Sequence, residues 1–186
     1  FHTEVMDDTL SITAIEFEQT KVVPKQIRIE SFTNSYEAGK ALISQFEPVG
    51  LTYILVLSDG NHVNGSELVR GMNEIAGDQV LITGGLAGDG SEFSSTLVGL
   101  NNNAEEGLIA GIGFYGDKLR VQHGSQGGWE TFGLEKLVTR SNANELFEIE
   151  NYSALELYKQ YLGPEAEGLP GSALLFPLAV KLPGTE

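Results

Sequence analysis

The 186-residue chain contains no cysteine. That excludes a disulfide framework, a thiolate metal centre and a cysteine nucleophile together. Basic residues are scarce as well: 11 Lys and Arg stand against 26 Asp and Glu, for a formal net charge of −15. No stretch gathers enough of them to track a phosphate backbone, so nucleic acid is not an expected partner. Long apolar runs are also lacking. The segment around Tyr53-Ile54-Leu55-Val56-Leu57 is far short of the roughly 20 residues needed to cross a bilayer, and the chain opens on Phe1 rather than on a charged leader. No membrane partner is therefore expected. What is present is 41% hydrophobic side chains over a length that suits one domain, or one and a fragment, with a proper core.

Alternation of Leu10, Ile12 and Ala14 with Thr13, Ile15 and Phe17 predicts a strand, and a second short strand is expected over residues 26–30. Asn34 precedes Glu37 at capping-box spacing, and Ala38, Ala41, Leu42 and Phe46 recur at helical intervals, giving a helix stopped by Pro48 and Gly50. Residues 53–57 form a continuous apolar run, as expected of a strand buried on both faces. Asn64 and Glu67 repeat the capping box ahead of Leu68, Met72, Ile75 and Ala76, Gly77 closes that helix, and Val80-Leu81-Ile82 make another strand. Residues 52–83 thus read as a strand, helix, strand unit with parallel strands. Its geometry matters, because the loops at 58–60 and 84–90 both leave the carboxyl ends of parallel strands, where open α/β sheets form ligand crevices.

Downstream, residues 96–100, 108–115 and 118–123 read as antiparallel strands, with Gly116-Asp117 as a hairpin turn. On the middle strand Leu108, Ala110, Ile112 and Phe114 share one face, while Gly111 and Gly113 leave space on the other. Residues 137–139 and 146–149 suggest a further hairpin, and residues 153–162 a last helix ended by Gly163-Pro164. A faint echo links residues 10–29 with residues 108–121, as two related halves would produce.

Residues 84–90 place four glycines and one acid after a strand, a composition that exposes amide donors and suits an anion or carboxylate. The dinucleotide fingerprint is not met, since that motif must open a helix. Asp59 and Asp89, one on each loop, are candidates for acid and base work or for binding an ammonium, although Asx side chains in such loops more often bond their own backbone. His123, beside a glycine loop and Trp129, could line a pocket or sit in the core. His2, His62 and His123 are scattered without thiolates or an i, i+4 pair and make no metal site. Ser58 lacks a nucleophile elbow, so no catalytic residue is assigned.

These motifs in series carry a family resemblance. Val56-Leu57-Ser58-Asp59-Gly60, Asn64-Gly65-Ser66-Glu67-Leu68, the run from Ile82-Thr83-Gly84 to Gly88-Asp89-Gly90, Val121-Gln122-His123-Gly124, Gly127-Gly128-Trp129 and Val138-Thr139-Arg140-Ser141 resemble the N-terminal domain of the FIST family. Residues 154–163 and Leu174-Leu175-Phe176-Pro177-Leu178 continue it. The resemblance implies a cytoplasmic sensory protein that binds small molecules such as amino acids and signals to a partner domain, for instance a histidine kinase or a chemotaxis module. It also implies an earlier strand, helix, strand unit and a C-terminal FIST domain beyond this chain. The expected division is a FIST N-terminal-like domain over 1–163, truncated at its start, with 164–186 as linker and the beginning of a following domain.

The resulting expectation is an α/β fold: layered mixed sheet with a central strand, helix, strand unit, antiparallel hairpins and helices packed on the sheet faces, an αββα sandwich being one form of it. The expected ligand residues are Ser58, Asp59, Asn64, Gly84, Gly85, Gly88, Asp89, His123 and Trp129, with no cofactor and no metal. Two other readings stay open. One is a hydrolase using Asp59, Asp89 and His123; the other is an interaction module whose acidic surface docks a basic partner.

Overall fold

The computed structural model describes residues 9–124, 127–131 and 133–181. Strand β1 (Lys21–Arg28) leads through a short 3-10 turn into helix α1 (Ser35–Ile43), and the chain returns as β2 (Leu51–Ser58). Helix α2 (Gly65–Ala76) and strand β3 (Leu81–Leu86) follow. After a long connection come β4 (Leu108–Tyr115), then β5 (Val138–Asn142), β6 (Glu145–Ile149), β7 (Tyr152–Ser153) and helix α3 (Ala154–Leu162). The fold class is the expected mixed α/β arrangement, with one four-stranded sheet of order β1-β4-β2-β3 and one three-stranded sheet of order β5-β6-β7.

Helix starts follow from local chemistry. The Asn34 side chain accepts from the Glu37 amide at 2.9 Å, Asn64 from Glu67 at 3.1 Å, and Ser153 from Glu156 at 3.4 Å, each satisfying an amide that the first turn leaves without a partner. Gly77, at φ 67°, ends α2 with its amide donating to the Asn73 carbonyl. Helices α1 and α2 then pack closely. A Cβ on Gly39 would overlap the Leu68 carbonyl and one on Gly71 the Tyr36 carbonyl, so the two glycines set the distance between the helices. Beneath them Ala38, Leu42, Ile54, Val56, Leu68, Met72 and Ile109 form the core, and each large aliphatic side chain buried there contributes about 1.5–3 kcal/mol.

Strand β4 runs antiparallel to both β1 and β2, while β2 and β3 are parallel as expected. Strands β1, β2 and β3 therefore all point the same way. Their last residues, Arg28, Ser58 and Leu86, lie at one edge of the sheet together with Leu108, the first residue of β4.

Several local expectations are corrected. Residues 10–17 form no strand: Leu10, Ile12 and Ile15 are exposed, and Phe17 instead packs edge-on against Phe114 at 5.6 Å. The acidic flank Asp7-Asp8 lies outside the described residues. Residues 96–100 make a single bridge, Val98 to Glu105, and residues 118–123 make no strand. The hairpin at Gly116-Asp117 does not form because β4 finds its partners in β1 and β2, far away in sequence. Strand β2 is buried through Ile54 and Val56 under the helices, but Leu57 on its other face is 46% exposed. Beside Gly111 and Gly113 the space is taken by the Phe46 ring and, next to Gly111, by Leu42. The hairpin of β5 and β6 and the last helix appear where expected. Beyond α3 the chain makes two 3-10 turns, and the Tyr158 hydroxyl donates to the Phe176 carbonyl at 2.8 Å.

Candidate functional site

The parallel strands bring the two loops together as their topology requires. The Ala87 amide donates to the Ser58 carbonyl at 2.8 Å, so the exit of β3 is stitched to the exit of β2. Strand β3 continues through Leu86, which places Gly84 and Gly85 within the ladder, opposite Val56 and Leu57, rather than in the loop. A Cβ on Gly84 would overlap the Val56 carbonyl, so this glycine serves the sheet. Gly85 and Gly88 face open space.

Asp59 is fully buried and is the hub of this edge. Its Oδ1 accepts from the Asn61 amide at 2.7 Å, the His62 amide at 2.9 Å and the Thr96 hydroxyl at 2.9 Å. Its Oδ2 accepts from the Gly107 amide at 2.6 Å and lies 3.1 Å from His62 Nδ1. Burial alone would push this carboxyl up, but the donors from Gly107, His62 and Thr96 outweigh it and hold the group well below the usual carboxylate range. The Thr96 hydroxyl also accepts from the Gly60 amide at 2.9 Å, and the Asp59 amide donates to the Leu108 carbonyl at 3.0 Å. One carboxylate thus joins the loop after β2, the segment around Thr96 and the start of β4.

Asp89 works within its own loop. Its Oδ2 accepts from the Ser94 amide at 2.6 Å and the Ser95 amide at 2.9 Å, and these bonds hold the carboxyl below its ordinary range. It remains partly exposed. Asn64 caps α2, receives its position from Ser35 Oγ, which accepts the Asn64 amide at 2.9 Å, and donates through Nδ2 to Asn144 Oδ1 at 3.2 Å. That last bond connects the helix start to the turn between β5 and β6.

His123 and Trp129 sit on irregular chain, both exposed, and make no polar contact with these loops among the described residues. The neighbouring Ser125 and Gln126 lie outside the described residues. The histidine beside Asp59 is His62, three residues on, with its ring half exposed. No hydrogen bond joins Ser58 to that ring among the described residues, and no group of three or more potential metal ligands forms there. Thr96 and Gly107 were not legible as partners of Asp59, since 37 and 48 residues separate them from it. The i, i+3 spacing of Asp59 and His62 was the one local signal.

The FIST N domain model matches residues 1–151. The chain belongs to the FIST family. FIST domains are sensory domains of signal transduction, and a sensory role is what membership gives this chain. No curated protein and no solved structure matches it. Among the described residues of this FIST domain no helix is long and apolar enough to cross a membrane.

Proposed function

We propose that this FIST domain binds a small polar metabolite, amino-acid-like in its charges, at the edge formed by the loops after β2 and β3, and passes the resulting change to a partner domain such as a histidine kinase or a chemotaxis module. The observation that carries the reading is the convergence of those loops at the carboxyl ends of parallel strands, with Gly85 and Gly88 open to an incoming group and Asp59 holding the floor. Ser58 and Asp59 act from beneath. The Asp59 carboxylate is fully buried among protein donors, so a ligand ammonium is met by the partly exposed Asp89, and a ligand carboxylate by amides of the loop around Gly88. His123 and Trp129 are not required. Asn64, bonded to Asn144, offers a path from the site to the second sheet.

The test is thermal unfolding of the chain against a panel of amino acids, organic acids and nucleotides. A ligand at about 100 times its Kd should add roughly 2.7 kcal/mol of stability. Gly88→Val and Gly85→Val, which meet no neighbour, should keep the far-UV spectrum and lose the shift. Normal binding by both variants sinks this placement of the site.

A further inference from the structure

A concavity of about 800 Å³ lies at the same end of the four-stranded sheet, where β1 ends and β4 begins. Its walls are Gln26 and Arg28 from the end of β1, Glu105 at the neck of the loop before β4, and the consecutive Asn101, Asn102 and Asn103; Ile27 and Leu108 supply apolar surface. None of these residues was among the ligand residues expected from the sequence. The size falls within the roughly 300–1,000 Å³ of small-molecule sites.

The walls are held in place before any ligand arrives. Val98 and Glu105 exchange backbone hydrogen bonds of 3.1 and 2.9 Å, closing the loop that carries the three asparagines. Glu105 also pairs with the Arg28 guanidinium, whose Nε donates to Glu30 at 2.6 Å. Gly107, two residues on, is fixed by Asp59. The four side-chain amides of Gln26, Asn101, Asn102 and Asn103, by contrast, make no hydrogen bond among the described residues, and each offers a carbonyl acceptor and two N–H donors.

Charge decides which ligands fit. Arg28, the one cation among the described residues that line the cavity, faces two carboxylates, Glu30 and Glu105, so the local balance is negative within a chain of net charge −15. An anion is disfavoured there. A cation would have to compete with Arg28 for the same carboxylates. Amides that both donate and accept match hydroxyl groups, which do the same.

We infer that this cavity is a binding site for a neutral polyhydroxylated ligand, a polyol or a saccharide of one or two rings, read by the amides of Gln26 and Asn101–Asn103 with Arg28 and Glu105. This inference does not rest on the metabolite crevice: Asn101–Asn103 and Glu105 lie near the far end of the connection from β3 to β4, well beyond Gly88 and Asp89, and none of the residues assigned to the crevice lines this cavity.

The experiment is ligand-observed saturation-transfer NMR followed by titration with D-glucose, D-galactose, sucrose and myo-inositol, with glycine, glutamate and citrate as charged comparators. At least one neutral polyol should bind saturably. Gln26→Ala and Asn102→Ala, exposed changes on β1 and on the connection before β4, should each weaken it roughly tenfold, while Gly88→Val leaves it unchanged. Saturable binding that ignores both wall variants overturns the site. Binding confined to the charged comparators and lost in both variants overturns the ligand class, and no saturable binding of any polyol overturns the inference altogether. A thermal shift is not used as the readout, since sugars stabilise proteins by exclusion without occupying a site.

Discussion

The two sheets of this molecule are built from strands of different pattern, near-continuous apolar runs in β2 and β4 against mixed polar and apolar residues in β5 and β6, and they end in very different states. In the four-stranded sheet, Ile54, Leu42, Met72 and Ile109 are completely buried beneath or within the helix layer. In the three-stranded sheet every residue of β5 is exposed, and Tyr152 of β7 and, on the neighbouring α3, Leu155 and Tyr161 remain more than half exposed. That region leans instead on surface pairs, Lys136 with Glu150 at 2.7 Å and Arg140 with Glu148 at 3.0 Å, and on the Arg140 guanidinium over the Phe147 ring at 4.7 Å. Exposed ion pairs contribute about 0–1 kcal/mol each, whereas a buried aliphatic side chain contributes more than twice that. Strands form in both places. Stability comes from the depth of burial, which α1 and α2 together give the four-stranded sheet and the single short helix α3 gives the other only slightly.

The sharpest way to break this contrast is to remove the polar hub rather than the core. Asp59→Ala should cost about 3 kcal/mol or more, because the amides of Gly107, Asn61 and His62 lose a buried acceptor together. Urea unfolding checks it, and a loss below about 1 kcal/mol would show that water replaces the carboxylate freely. Next in size, Leu42→Ala should cost about 2–5 kcal/mol while Leu155→Ala, 54% exposed on α3, costs less than about 1 kcal/mol. Equal losses would erase the distinction between the two regions. The smallest effect is acid sensitivity. The Asp59 carboxyl is lowered in the folded state, so its stabilisation is complete above the ordinary value of about 3.9 and is lost progressively as pH falls below it. The native chain should therefore lose more stability than Asp59→Ala between neutral pH and about pH 3, with urea midpoints compared at each pH.

Much of the fold was legible where signals are local. The capping boxes at Asn34 and Asn64, the Gly77 stop, the parallel pair β2 and β3, and the hairpin of β5 and β6 all depend on residues close in sequence. What was not legible depends on partners far away. Residues 10–17 and 118–123 carry strand-like patterns but find no ladder, and β4 lies between β1 and β2 instead of beside its sequence neighbours. In the candidate site the meeting of the two loops followed from the parallel pair. The closure of Asp59 by Thr96 and Gly107 did not, because nothing near Thr96 or Gly107 marks either as its donor. Asp59 and Asp89 both bond backbone amides a few residues ahead, the ordinary behaviour of Asx side chains in loops.

The position of β4 also sets a schedule for biosynthesis. Among the described residues strand β1 has no neighbour other than β4, with Lys21 opposite Tyr115 at one end and Arg28 opposite Leu108 at the other. On a ribosome adding about 5–20 residues per second, the wait between finishing β1 and finishing β4 is on the order of ten seconds. Throughout that interval Val22, Val23 and Ile27 belong to an unpaired strand able to recruit other nascent chains. The same strand carries Pro24, Lys21, Lys25 and Arg28, three of the chain's eleven basic residues and one proline. Such residues discourage edge-to-edge pairing. The nascent segment therefore carries its own protection against aggregation while it waits for β4.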